Sequence, residues 1–194
     1  MKAVFAAFGA AALVAGCASN QDESEPPAAA ADPMSPTSAP GFMRMAASSD
    51  QFEIQSSQMA LQMSQNPQVR SFAQMMIDGH SRTTAELTQI AQQQGMTPPP
   101  PVLAPPQQAA LDRIRAAAPA DFDATYKREQ IAGHQEALNL HRTYAAQGDN
   151  QALRDFAGRT APIVEGHLNQ AQTLPDYAPP PPPPPPPARA GERG

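Results

Sequence analysis

From Phe42 to Leu174 the apolar residues recur every three or four positions, the period of a helix with one buried face. The first stripe runs through Phe42, Met45/Ala46, Ser49, Phe52/Glu53, Ser56, Met59/Ala60 and Met63. Asn66-Pro67 then interrupts it, which predicts one long helix followed by a tight turn. A second stripe, Val69, Phe72/Ala73, Met76, His80, Thr83, Leu87 and Ile90, reaches Gly95, a natural left-handed C-cap. Beyond the prolines at 98–101, a shorter amphipathic piece over Gln107–Ala118 carries Leu111 and Ile114. Asp121 is placed to N-cap a third long helix through Phe122, Tyr126, Gln130, His134, Leu138 and His141, with a turn at Gly148-Asp149. The last stripe, Leu153, Phe156, Thr160, Ile163, His167 and Leu174, contains Pro162, whose missing N–H is expected to kink the helix a turn before His167. No alternating strand pattern competes. Four long helices, paired by short turns within each half and joined by a crossing connection with an extra short helix, predict an all-α, ferritin-like four-helix bundle over residues 41–174.

The flanks have a different character. Residues 1–16 combine Lys2, an apolar run from Ala3 to Ala15, and Leu13-Val14-Ala15-Gly16 ahead of Cys17, the sole cysteine. The run is too short to span a bilayer and resembles a bacterial lipoprotein signal peptide, which implies a lipidated Cys17 as the first mature residue. Ala18 stands where lipoproteins retained in the inner membrane carry Asp, so this resemblance implies an outer-membrane anchor facing the periplasm. Residues 17–40 are Ala, Pro, Ser and acidic residues without periodicity and read as a disordered tether. Residues 175–194 include Pro179–Pro187, nine consecutive prolines that would form a polyproline II spacer roughly 28 Å long.

Composition narrows the function. Thirteen Lys and Arg against eighteen Asp and Glu leave no electrostatic footprint for nucleic acid and no polybasic patch for anionic lipid. Membrane attachment is therefore expected through the lipid on Cys17. With that thiol acylated, the chain has none left for a disulfide, a nucleophile or a structural zinc site. There is also no Gly-x-Ser-x-Gly elbow and no phosphate-cradling glycine loop, so no catalytic residue is assigned.

The candidate chemistry lies in Gly79-His80, Gly133-His134 and Gly166-His167, on three different long helices, each histidine on its apolar stripe. A glycine inside a helix costs about 1 kcal/mol relative to alanine, so the pairs invite a packing or ligand reason. Counted from the two turns at 1.5 Å per residue, Glu53 and His80 fall within about 3 Å of one level, and His134 and His167 within roughly 6 Å. Glu53, His80, His134 and His167 can thus form one mid-bundle constellation, and three imidazoles with a carboxylate suit zinc, iron or copper. Tyr126, Asp78 and Glu165 are candidates to support it, although the two acids lie two positions from their histidines and point elsewhere. The alternative is that the histidines are core groups bonded to facing side chains such as Tyr126, Ser56 or Glu53. Met43, Met45, Met59, Met63, Met75 and Met76 offer thioethers to copper(I), but methionine at core stripes is also an ordinary gap-filler. A repeated Glu-x-x-His, expected of a carboxylate-bridged di-iron site, is absent.

Several of these segments carry a family resemblance. Phe52-Glu53, Asn66-Pro67-Gln68-Val69 with Phe72 through Asp78-Gly79-His80, Phe122-Asp123 through Tyr126 to His134, and Phe156-Ala157 through Pro162 to His167-Leu168 resemble an uncharacterised ferritin-like family of predicted bacterial outer-membrane proteins, domain of unknown function 4142. The resemblance spans about residues 42–174 and implies a helical bundle in the cell envelope, with His80, His134 and His167 at the family's histidine positions. The family often has an acidic residue where this chain has Gly79, Gly133 and Gly166. Two functions follow as expectations. The first is a lipid-anchored structural, stress or interaction module with envelope protein partners. The second is a metal-binding bundle using the inward histidines and Glu53.

Overall fold

The computed structural model describes residues 32–176; Cys17 and the nine-proline tail lie outside them. Four long helices and one short one account for most of this span. They are α1 (Ala39–Met63), α2 (Pro67–Gln93), α3 (Pro105–Ala116), α4 (Phe122–Gln147) and α5 (Gln151–Thr173). No strand occurs among the described residues. The expected four-helix bundle with an extra short helix in its crossing connection is the observed architecture.

Each boundary has a local cause. The Ser38 hydroxyl accepts from the Gly41 N–H, with Pro40 in the first turn, so α1 begins two residues before Gly41. Asn66 caps α2 by accepting from Gln68 N–H at 2.9 Å, and Pro67 starts that helix. Gly95 adopts φ of 67°, ending α2 in the left-handed conformation that side-chain-bearing residues avoid. The crossing loop is pinned to α1, where the Ser48 hydroxyl accepts from Ala104 N–H at 2.7 Å. Asn150 caps α5 through Leu153 N–H. Helix α5 then runs unbroken through Pro162 to Thr173. Asp121 does not cap α4 as its sequence position predicts. It ends a single 3-10 turn, Pro119–Asp121, with φ −102° and ψ 0°, and from this backbone its carboxylate makes no capping bond.

Helices α1 and α2 pack closely as one hairpin and α4 and α5 as another, with α3 laid across α1 and α4. The interior is layered. At one end Phe42, Met43, Leu87, Tyr144, Leu153 and Phe156 form an apolar cluster in which Phe42 stacks on Tyr144 at 4.1 Å. At the other end Ala60, Val69, Met76, Ile114, Phe122 and Tyr126 form a second. Between them each long helix contributes polar groups: Asp50 and Glu53 from α1, His80 from α2, His134 from α4 and His167 from α5. The apolar ends therefore hold four helices in register around a polar waist. Met59 lies partly buried against the core and Met76 fully within it, whereas Met63, expected on the core stripe, is 49% exposed at the C-terminal end of α1.

No described helix is long and apolar enough to cross a membrane.

Candidate metal centre

At the waist the three histidine rings form a nearly equilateral triangle, with centroids 5.8 Å apart for His80–His134, 5.7 Å for His80–His167 and 5.7 Å for His134–His167. One ring nitrogen from each lies within 4.8 Å of the others. Metal–imidazole bonds near 2.0–2.1 Å require nitrogens roughly 3.3–3.6 Å apart, so small side-chain rotations would close the triangle on an ion.

The hydrogen bonds decide which nitrogens are available. His134 Nδ1 lies 2.8 Å from the Gln130 carbonyl, which can only accept, so Nδ1 carries the proton. Its Nε2 is buried without a partner. His80 Nδ1 donates to Asp50 Oδ1 at 2.8 Å, and its Nε2 is likewise buried and unpartnered. His167 Nδ1 is a third unpartnered buried nitrogen. Buried polar atoms nearly always find partners, so three orphaned ring nitrogens in one layer are available to a ligand, although His141 Nδ1 in the apolar layer is orphaned too. A carboxylate or carbonyl fixing one imidazole nitrogen while the other faces an ion is the usual arrangement around protein-bound metals.

Asp50 is the acid that the stripe pattern missed. Its Oδ2 accepts from Thr83 at 3.0 Å and Thr84 at 2.9 Å while Oδ1 holds His80, so one carboxylate fixes the His80 ring to both α1 and α2. Asp50 lies one turn ahead of Glu53, and this i, i+3 acidic pair was the available signal. Asp123 and Glu129 on α4 are buried acids as well.

Glu53 stands where expected, with Oε1 3.5 Å from His134 Nδ1. Both of its carboxyl oxygens are buried and lack hydrogen-bond partners. Burial pushes its pKa up to about 7, opposed by the nearby His80. Burial by itself would lower His80, but the bond to Asp50 raises it above the ordinary histidine value. Burial together with repulsion from His80 lowers His134 to about 3 and His167 to about 4. The last two are thus neutral imidazoles at physiological pH, the form that ligates a metal.

Two of the three glycines beside the histidines have a steric reason. A Cβ at Gly133 would sit 3.1 Å from Glu53 Oε1 and 3.2 Å from Phe52 Cε1; one at Gly79 would sit 3.3 Å from His167 Cε1. Their hydrogens make room for two members of the constellation. Gly166 faces open space, and its identity has no packing explanation.

The other candidates lie elsewhere. Asp78 is exposed and bonded to Gln74, and Glu165 pairs with Arg142 on α4. Both acids project off the stripe that carries their histidines, and neither supports the triangle. Tyr126 is buried with its hydroxyl on Ser57 Oγ at 2.8 Å, in the apolar layer beneath it. His141, the fourth histidine, packs edge-on against Phe42 in the opposite apolar layer. The suggested thioethers are dispersed: Met43 is buried at one bundle end, and Met45 and Met63 point outward.

Among curated proteins none matches this sequence. Solved structures are similar over 70% of this chain and 93% of theirs. One is CopM in the Cu(II)-bound form, at 20% identity with a TM-score of 0.60. Another is CopM in the Ag-bound form, at 21% identity with a TM-score of 0.58. At such identities the likeness concerns the fold, a helical bundle. The sequence profile of the family described as Domain of unknown function (DUF4142) matches residues 24–174, and the chain belongs to that family.

Proposed function

We propose that this protein binds a transition-metal ion, copper or silver before zinc or iron, through His80, His134 and His167 at the bundle waist. The observation that carries the reading is the convergence of one nitrogen from each of three histidines, two buried and one half-buried, within 4.8 Å, the two buried ones held in a defined tautomer by partners on the other nitrogen. Such a donor set suits copper and zinc by its chemistry. Copper and silver are favoured because they are the ions in the two CopM structures of similar fold. Asp50 orients His80, and Glu53 supplies negative charge beside His134.

The lipid anchor on Cys17 and the outer-membrane, periplasm-facing location belong to the same proposal and are supported by the N-terminal sequence pattern. A lipid-tethered bundle with one buried ion would act as an envelope buffer or carrier rather than an enzyme. The interaction-module reading rests on the proline tail, outside the described residues, so the waist favours the metal reading.

The test is metal content of the full chain by mass spectrometry after exposure to copper, silver, zinc and iron, beside a His80→Ala/His134→Ala/His167→Ala variant. Near-stoichiometric metal lost in the variant is expected. A folded wild type that takes up none of the four ions would end the proposal.

A further inference from the structure

The triangle of imidazoles is not sealed on all sides. Phe52 and Glu53 close it against Gly133 on the α1–α4 side. On the α2–α5 side a groove of about 270 Å³ reaches it, lined by Gly79, His80, His167 and the buried Thr160 and by the exposed Arg82, Glu86 and Ile163. His167 is the least buried of the three histidines, and the missing Cβ of Gly79 leaves the space beside its ring open.

Two charged residues line the groove, Arg82 and Glu86. Glu86 is paired with Arg159 at 2.8 Å, which leaves Arg82 as the uncompensated charge. Arg82 is exposed, has no ion pair or hydrogen bond among the described residues, and lines the same groove as His167. An unpaired guanidinium above a cationic centre repels further cations and draws anions. Guanidinium also presents several donors to a small oxyanion or linear anion.

Building on the metal-binding reading, we propose that the α2–α5 groove admits a small inorganic anion to a coordination position left open by the three histidines, with Arg82 attracting it from the groove mouth. Three protein ligands with an open fourth position are the arrangement found where a metal meets an exogenous ligand, in contrast to the closed four-ligand sets of structural sites. A mono- or triatomic anion fits easily within the groove.

Azide is the probe. The full chain is loaded with copper(II) and titrated with azide at constant ionic strength, and the ligand-to-metal charge-transfer absorption is followed. Wild type should give a saturable new band. Arg82→Glu should weaken azide binding about tenfold while copper stays on the three imidazoles and is held no more weakly, because Arg82 is not a ligand and its charge opposes the cation. Ile163→Trp, at an exposed lining position, should weaken or slow it by covering the mouth. An unchanged spectrum in azide, with nitrogen hyperfine structure showing copper on the imidazoles, would overturn the inference and leave the metal site standing. Equal azide affinity in wild type and Arg82→Glu would overturn the role of Arg82 and the groove. A chain that binds no copper would overturn both proposals.

Discussion

Replacing Asp50 by Asn removes one charge from the waist and leaves the shape nearly unchanged. In the native chain the carboxylate receives three hydrogen bonds, from His80 Nδ1 at 2.8 Å and from the Thr83 and Thr84 hydroxyls at 3.0 and 2.9 Å. Asn retains one acceptor oxygen, which can hold His80, while its NH2 group then faces two hydroxyls. Thr83 already has the His80 carbonyl as an alternative acceptor, so Thr84 suffers most. Hydrogen bonds to charged groups contribute roughly 1.5–3 kcal/mol each, and with one bond kept and one replaced the expected stability loss is about 2 kcal/mol. The raised pKa of His80 gives this loss a pH dependence. Stability from a raised histidine is fully present below the unfolded value of about 6.5 and fades as pH rises through the folded pKa, so the penalty should be larger at pH 6 than at pH 9. Losing the orienting carboxylate behind a ligating imidazole typically costs 10–100-fold in metal affinity, or roughly 1.4–2.7 kcal/mol. Chelator competition measures the affinity, and NMR titration of the His80 ring protons in the metal-free chain measures its pKa, which should fall. An Asp50→Asn chain that binds copper as tightly as wild type, with His80 titrating unchanged, would refute the assigned role.

Other outcomes follow from the same geometry. Metal-free protein should lose stability in mild acid. His134, His141 and His167 are depressed to about 3, 4 and 4, so the unfolded chain takes up their protons first, each costing roughly 1.4 kcal/mol per pH unit below about 6.5. Glu53, raised to about 7, opposes this by gaining its proton first in the folded state, and His80 adds to that opposition, leaving a net loss of about 4 kcal/mol between pH 6.5 and 4.5. A urea midpoint in excess chelator that does not fall over this range would contradict the burial argument. Gly166→Ala, with open space at the new methyl, should stabilise the chain by about 0.5–1 kcal/mol through helix propensity alone. Gly133→Ala should instead lower both stability and metal affinity, because its methyl presses on Glu53 and the Phe52 ring, and equal melting shifts for the two variants would disprove the distinction. Tyr126→Phe should cost about 1 kcal/mol, from its lost bond to Ser57, without changing metal affinity by more than twofold.

The helices and their order were legible because apolar period, prolines and caps agree at most boundaries; Asn66-Pro67 and Gly95 end up doing what their chemistry predicts. Asp121 failed as a cap because Pro119 starts a 3-10 turn that ends at Asp121, whose φ of −102° and ψ of 0° replace the extended backbone of a capping residue. The histidine level could be read from counting because short turns fix the relative height of paired helices. Pairing between the two hairpins is set by long-range packing, and for that reason the partners of each ring could not be read. Asp50 illustrates the limit. On a helical wheel it borders the stripe that Ser49 and Glu53 define, and only the approach of α2, bringing Thr83, Thr84 and His80, makes it an inward residue. Glycine beside histidine was a usable signal at Gly79 and Gly133, where absent side chains make room for His167 and Glu53, and a coincidence without steric content at Gly166.

The decisive measurement is an anomalous-diffraction structure of the full chain loaded with copper or silver. Metal at the waist, with His80 Nε2, His134 Nε2 and one His167 nitrogen each at about 2.0–2.4 Å, is the predicted result. An ion held only by methionine sulfurs or surface carboxylates, with the three rings still about 5.7 Å apart, would contradict it.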